Sequence, residues 1–221
     1  MACVASEWWS PPSEKAAGGI GVVADAADEP VRQPGGVITA VIGTPTRTNL
    51  ILAYAWRELG VDARVLHPDE AVSVLGAGDV ALFRLDVLPT LDGVEPGLEH
   101  GADLERAGVR ILNSPPALLA THDKLLTARR FAEFGVPHPW TTHVAPDGPV
   151  PASPFPCVVK PRFGSWGQDV FLCRREEDLH RVLSAVHSRP WWSRHGALVQ
   201  ELIGPVRRDV RAIVSGDRIV A

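Results

Sequence analysis

Lysine is almost missing from this chain. Of 22 Lys plus Arg in 221 residues, 19 are arginine and only Lys15, Lys124 and Lys160 are lysine. Arginine offers a planar, permanently charged fork, whereas lysine is a compact point charge on a flexible stem, so a position that stays lysine here points to a need for the ammonium itself. Cysteine is equally sparse. Cys3, Cys157 and Cys173 are odd in number and lack the close Cys-x-x-Cys spacing of zinc sites, which excludes a zinc ribbon and a disulfide framework and leaves reduced, structural thiols. No His-x-x-x-His pair sits on a predicted helix, which argues against a histidine-built metal site. No run approaches the ~18 apolar residues of a membrane span. The start, MACVASEWWSPPSEK, has no basic region followed by an apolar stretch and is not a secretory signal, so the cytoplasm is the expected compartment. An excess of basic charge is also lacking. The formal net charge of -4 argues against general nucleic-acid binding, and the Arg207, Arg208, Arg211 group reads as a solvated strand face.

What remains is enough to build a core: 45% of residues are hydrophobic and 22% charged, at a length that suits one large or two small domains. Residues 1–36 mix Pro, Gly, Ala and acids without periodicity and read as a disordered extension whose bulky feature is Trp8 and Trp9. Folding is predicted to begin at VITAVIG (37–43). NLILAYAWRELG follows as a helix stopped by Gly60, and DARVL (62–66) as a strand, a βαβ unit that implies a parallel sheet. PDEAVSVL, DVALFRLD (79–86), GLEHGADLERAG and VRILN continue the alternation. Residues 37–113 thus read as a small doubly wound unit. Its first strand-helix turn, Gly43-Thr-Pro-Thr-Arg-Thr, lacks the G-x-G-x-x-G dinucleotide fingerprint.

The second half changes grammar. A helix opening near Asp123 stops at Gly135. Strands are predicted at TTHVA and PCVVK, then at DVFLC, with a helix bearing Leu179, Val182, Leu183 and Val186, and a strand at ALVQEL (197–202). VRAIV-SGDR-IVA reads as a hairpin turning at Ser215 and Gly216.

Within PCVVKPRFGSWGQDV, Lys160 ends an apolar strand and precedes Gly164 and Gly167. This order is not a P-loop, in which the lysine follows the glycines and opens a helix. The physics is nevertheless similar, because a strand-end ammonium and the free N–H groups of a glycine-bearing turn can hold an anion such as a polyphosphate. Taken alone, the stretch reads more readily as a plain hairpin with a snorkelling lysine, because glycine-rich turns are common.

Four segments in order, ILN followed by DK (111–124), GVPHPWT (135–141), VVKPRFGSWG (158–167) and LVQELI with RDVR (198–211), resemble the ATP-grasp superfamily, and within it the RimK-like carboxylate-amine (glutamate) ligases. The resemblance implies an α/β fold: a pre-ATP-grasp domain over 37–115, then an ATP-grasp domain over 116–221 made of an α+β lobe and the first strands of a large lobe. It implies that Lys124 and Lys160 contact ATP phosphates and that Gly164, Ser165 and Gly167 form the loop that closes over them. Gln200, Glu201, Leu202 and Ile203 match the segment whose backbone reads the adenine. Asp209 matches a ribose-binding acid, and Arg211 a contact to substrate or phosphate. The pattern departs at Asp169, where the family often has glycine.

Enzymes of this type phosphorylate a carboxylate with ATP and let an amine displace the phosphate, with magnesium neutralising charge between the phosphates. The resemblance puts the magnesium ligands C-terminal to the residues in hand, so none is expected in this chain, which reads as incomplete at its C-terminus. Accordingly the chain as written is expected to bind nucleotide weakly at best and not to turn it over, the rival reading being a non-catalytic truncated remnant or nucleotide-binding module. The expected partners are ATP and an unidentified carboxylate and amine (amino acid, peptide or protein tail), without nucleic acid or membrane. An unfinished sheet predicts a C-terminal end that is poorly ordered or prone to association.

Overall fold

The computed structural model describes residues 36–204, 210, 212–215 and 217–220. The extension predicted up to residue 36 therefore lies, but for Gly36, outside the described residues.

The first unit is a four-stranded parallel sheet. Its strands are β1 (Ile38–Ile42), β2 (Asp62–Leu66), β3 (Val80–Phe83) and β4 (Arg110–Leu112), in the order β2-β1-β3-β4. Parallel strands need crossovers, and helices supply them: α1 (Arg47–Glu58), α2 (Pro68–Val74) and α3 (His100–Arg106). Alternation along β1 sorts its side chains between two faces. Ile38, Ala40 and Ile42 join Ala71 of α2 and Leu104 of α3 in one core, while Val41 meets Ala53 of α1 and Ala63 on the other. The turn after β1 is closed by a buried side chain: Asn49 donates to the Thr44 carbonyl at 2.8 Å and accepts from Arg84 Nε at 3.1 Å.

Sequence reading missed α4 (Pro115–His122). Its signal was Ser114 followed by Pro115, a proline at the first helical position, where its missing N–H costs nothing. Leu118 of α4 packs into the core of the first unit, so that core continues past the boundary expected at 115.

The second unit is an antiparallel sheet of β5 (Thr141–Val144), β6 (Cys157–Pro161), β7 (Phe171–Cys173) and β8 (Ala197–Glu201), in the order β5-β8-β6-β7. No strand is shared between the two sheets. Three helices accompany it: α5 (Lys124–Glu133), α6 (Glu176–Ala185) and α7 (Pro190–His195). α7, also unforeseen, begins at Pro190 and buries Trp191 and Trp192. One face of the sheet, carrying Cys157, Val159, Cys173 and Val199, is sealed by Leu179 and Leu183 of α6 and by Trp191. Cys157 and Cys173 face each other across β6 and β7 as free thiols. Burial pushes both thiol pKa values up, that of Cys173 to about 12, which keeps them protonated and unreactive.

A strap from the first unit ties the two together. Leu91 is buried in the second core, Arg194 donates to the Asp92 carboxylate at 3.2 Å, and His195 Nε2 donates to the Asp92 carbonyl at 2.8 Å. At the far end, β9 (Val214–Ser215) pairs antiparallel with β10 (Arg218–Ile219). Ser215, expected in the turn, is thus a strand residue, and Gly216, the other residue expected there, lies outside the described residues.

Candidate functional site

The opposite face of the second sheet carries the alternate residues. Register pairs Thr141 with Gln200, Gln200 with Val158, and Leu198 with Lys160, so Thr141, Val158, Lys160, Leu198 and Gln200 share that face. Lys160 therefore interrupts the apolar run without being placed in the sealed core, which answers why a charge ends β6.

A cavity of about 270 Å³ opens here, lined by Lys124, Val158, Lys160, Pro161, Gly164, Ser165, Trp166, Gly167, Gln168 and Val170. Both lysines point into it, held by neutral oxygens. Lys124 Nζ donates to the Gly164 carbonyl, and Lys160 Nζ donates to Gln200 Oε1 at 2.6 Å. Burial pulls the Lys160 pKa down to about 8, and the neighbouring Lys124 ammonium adds to that fall. Burial also lowers the Lys124 pKa, against the opposing pull of Asp123. Two desolvated cations facing one space, with no carboxylate bonded to either ammonium among the described residues, leave positive potential available to an anion.

Lys124 is positioned by a clamp. Asp123 is 2% exposed and caps α5, its Oδ1 accepting from Leu125 N at 2.9 Å and Leu126 N at 3.4 Å. The same carboxylate receives both Nε and Nη2 of Arg162, in the loop after β6, and Lys124 N donates to the Arg162 carbonyl at 3.0 Å. Helix α5 is thereby fastened to the strand that carries Lys160.

The loop from 162 to 170 closes the other side. Gln168 N donates to the Ser165 carbonyl at 3.1 Å, and the two residues between, Trp166 and Gly167, both have positive φ (58° and 69°), the pattern of a type I′ turn. Glycine accepts this freely; holding tryptophan there costs about 1–2 kcal/mol. Trp166 is 70% exposed at the tip. Asp169, where the resembled pattern has glycine, also adopts positive φ (51°), and its carboxylate accepts from the Trp191 indole N–H at 2.7 Å. That hydrogen bond anchors the loop to the sealed core.

Among the sequence candidates, Lys124, Lys160, Gly164, Ser165 and Gly167 line the cavity, and Gln200 reaches it through Lys160. Glu201 pairs with Cys157 on the opposite face, and its carboxylate accepts from Trp140 N at 3.2 Å. Leu202 and Ile203 are exposed beyond the strand end. Asp209 and Arg211 lie outside the described residues. Sequence reading assigned no role to Thr141 or Arg162, whose partners are 59 and 39 residues away in the chain.

Among the described residues no group of three or more His, Cys, Asp or Glu could hold a metal ion. Nor is any helix among them long and apolar enough to cross a membrane.

A RimK-like ATP-grasp domain matches residues 150–221. A glutamate–LysW ligase, ArgX, of Sulfolobus acidocaldarius is 31% identical over 153 residues, covering 66% of this chain and 51% of that protein. A tetrahydromethanopterin:alpha-L-glutamate ligase of Methanosarcina acetivorans is 29% identical over 195 residues, covering 77% of this chain and 57% of that one. The chain thus spans about half the length of these relatives. Among solved structures, a RimK domain ATP-grasp protein from Sphaerobacter thermophilus superposes with a TM-score of 0.52 at 18% identity, covering 76% of this chain and 65% of its own, a likeness of fold. Residues 150–221 therefore match a RimK-like ATP-grasp domain, and the chain has the fold seen in ATP-grasp structures.

Proposed function

We propose that this chain binds ATP between Lys124, Lys160 and the 164–167 turn, as the nucleotide-binding part of an ATP-dependent carboxylate-amine ligase. The observation that carries the reading is the pair of desolvated lysines converging on one cavity beside a positive-φ turn. In such a reaction a carboxylate oxygen attacks the γ-phosphorus, ADP leaves, and an amine then displaces phosphate from the acyl phosphate to form the amide. The charge that builds on the transferring phosphoryl group is met by preorganised donors, which is what two fixed ammonium groups supply. In this reading the pre-ATP-grasp unit covers 37–115, with α4 shared at its edge, and the ATP-grasp unit follows. Gln200 to Ile203 form the adenine edge, Asp209 meets the ribose, and Arg211 meets substrate or phosphate.

Calorimetric titration with ATP, ADP, AMP and adenosine tests nucleotide recognition. ATP and ADP are expected to bind and adenosine to bind far more weakly; equal affinity for adenosine and ATP contradicts a phosphate-reading site. Chemistry is tested by ADP release over a panel of carboxylates and amines, beginning with glutamate, which both relatives' names contain. Release requiring both substrates supports ligation, and ATP binding without release for any pair identifies a nucleotide-binding module instead.

The lysine titration adds a pH test. With its folded pKa lowered from 10.5 to about 8, Lys160 is protonated in both folded and unfolded chains below that pH. Between about 8 and 10.5 the unfolded chain holds the extra proton, so the contribution of this group to stability rises with pH. ATP affinity should move oppositely, falling by up to roughly tenfold per pH unit above about 8 as the ammonium is lost. Affinity that stays flat to about pH 9.5 contradicts a role for the Lys160 charge.

A further inference from the structure

We infer that Thr141 is a positioning residue for Lys160, acting through the Gln200 side chain by a one-way relay of hydrogen bonds; the inference deepens the nucleotide-binding reading and rests on it for its consequence. The Pro139 carbonyl can only accept, so the Thr141 hydroxyl, 2.9 Å away, must donate to it. With its proton committed, Thr141 Oγ1 accepts from Gln200 Nε2 at 2.7 Å. That fixes which end of the amide is which, and turns Gln200 Oε1 toward Lys160 Nζ at 2.6 Å. Were the amide reversed, its NH2 would face an ammonium and the Thr141 oxygen would have to donate twice. The three residues come from β5, β8 and β6, and their side chains share the face opposite the sealed core because Thr141 is paired with Gln200, and Gln200 with Val158, two residues from Lys160. The relay therefore spans three adjacent strands and holds the ammonium against the cavity by a neutral acceptor. A carboxylate in place of Gln200 would compete with the anion for the same charge; an amide orients the lysine and leaves that charge available.

The test uses the whole chain and the variants Thr141→Val, Thr141→Ser and Gln200→Glu. Valine keeps the shape and strand preference of threonine while removing the hydroxyl. The first readout needs no nucleotide: the pH dependence of Lys160 acylation, followed by peptide mass spectrometry. Thr141→Val should lower the Lys160 pKa, because an oriented acceptor that favours the charged form is lost. Thr141→Ser should restore it, and Gln200→Glu should raise it. The second readout is ATP affinity, expected to weaken about 5- to 10-fold in Thr141→Val and Gln200→Glu and to recover in Thr141→Ser. An unchanged Lys160 titration in Thr141→Val, or a serine variant that behaves like valine, overturns the relay. Titration shifts in the expected directions with no ATP binding in any form, wild type included, leave the relay standing and remove the nucleotide reading instead. Should the valine variant fail to fold, the sign of the Gln200→Glu shift decides.

Discussion

Replacing Lys160 with methionine is expected to weaken ATP binding by about 30- to 1,000-fold, the loss of ~2–4 kcal/mol that follows when one partner of a desolvated charge pair is removed. Methionine keeps the stem and discards the charge. The ammonium is specifically needed because it is buried, faces the cavity and bonds only to neutral Gln200 among the described residues. Lys160→Arg should not rescue binding: a planar fork with five donors does not fit where one amide oxygen at 2.6 Å receives a single compact group. The same methionine substitution should raise the stability of the unliganded protein at about pH 7 by roughly 1–3 kcal/mol, since the folded chain no longer keeps a proton against desolvation. Paired measurements of ATP affinity and thermal midpoint on one variant check both signs. Methionine that destabilises the free protein and leaves ATP binding intact would make Lys160 a structural residue.

Asp123→Ala should cost about 3–5 kcal/mol of folding stability, among the largest effects available outside the two cores. Two losses combine. Helix α5 loses the side chain that receives Leu125 N and Leu126 N, and the Arg162 guanidinium keeps its partly buried position without its carboxylate. Asp123→Asn separates them, because asparagine remains a good helix cap but cannot balance the arginine charge. It should retain part of the stability. Urea unfolding of Asp123→Ala, Arg162→Met and the double variant completes the cycle, with a coupling above about 1 kcal/mol expected for groups in direct contact. Additive single effects would mean that the clamp is not cooperative, and that Lys124 is placed by α5 alone.

The clamp also shows where sequence reading stops. The strands and the helix opening at Asp123 were legible because each rests on local signals: β-branched runs, glycine stops, and a capping residue before a periodic segment. The scarcity of lysine singled out Lys124 and Lys160, and their convergence followed from the ordered motifs. Thr141 and Arg162 carried no such signal. Each acts through a partner brought close by the strand order β5-β8-β6-β7, which places β8 between strands that precede it in the chain. Once that order is known, period-two alternation alone puts Thr141, Gln200 and Lys160 on one face. The helices α4 and α7 were overlooked for another reason. Both are short and begin at proline, and their helical residues are dictated by packing of Leu118 and of Trp191 and Trp192 rather than by a repeating pattern.

If Lys124 and Lys160 together hold the phosphates of one nucleotide, ATP must shield both from chemical modification. The chain is acylated at near-neutral pH with and without saturating ATP, and modification at each of its three lysines is read by peptide mass spectrometry. Lys124 and Lys160 should be protected together by ATP and by inorganic triphosphate, and not by adenosine, while Lys15 serves as the internal reference. Unchanged labelling at both cavity lysines under ATP, or protection of one without the other, would show that the two lysines do not hold one nucleotide.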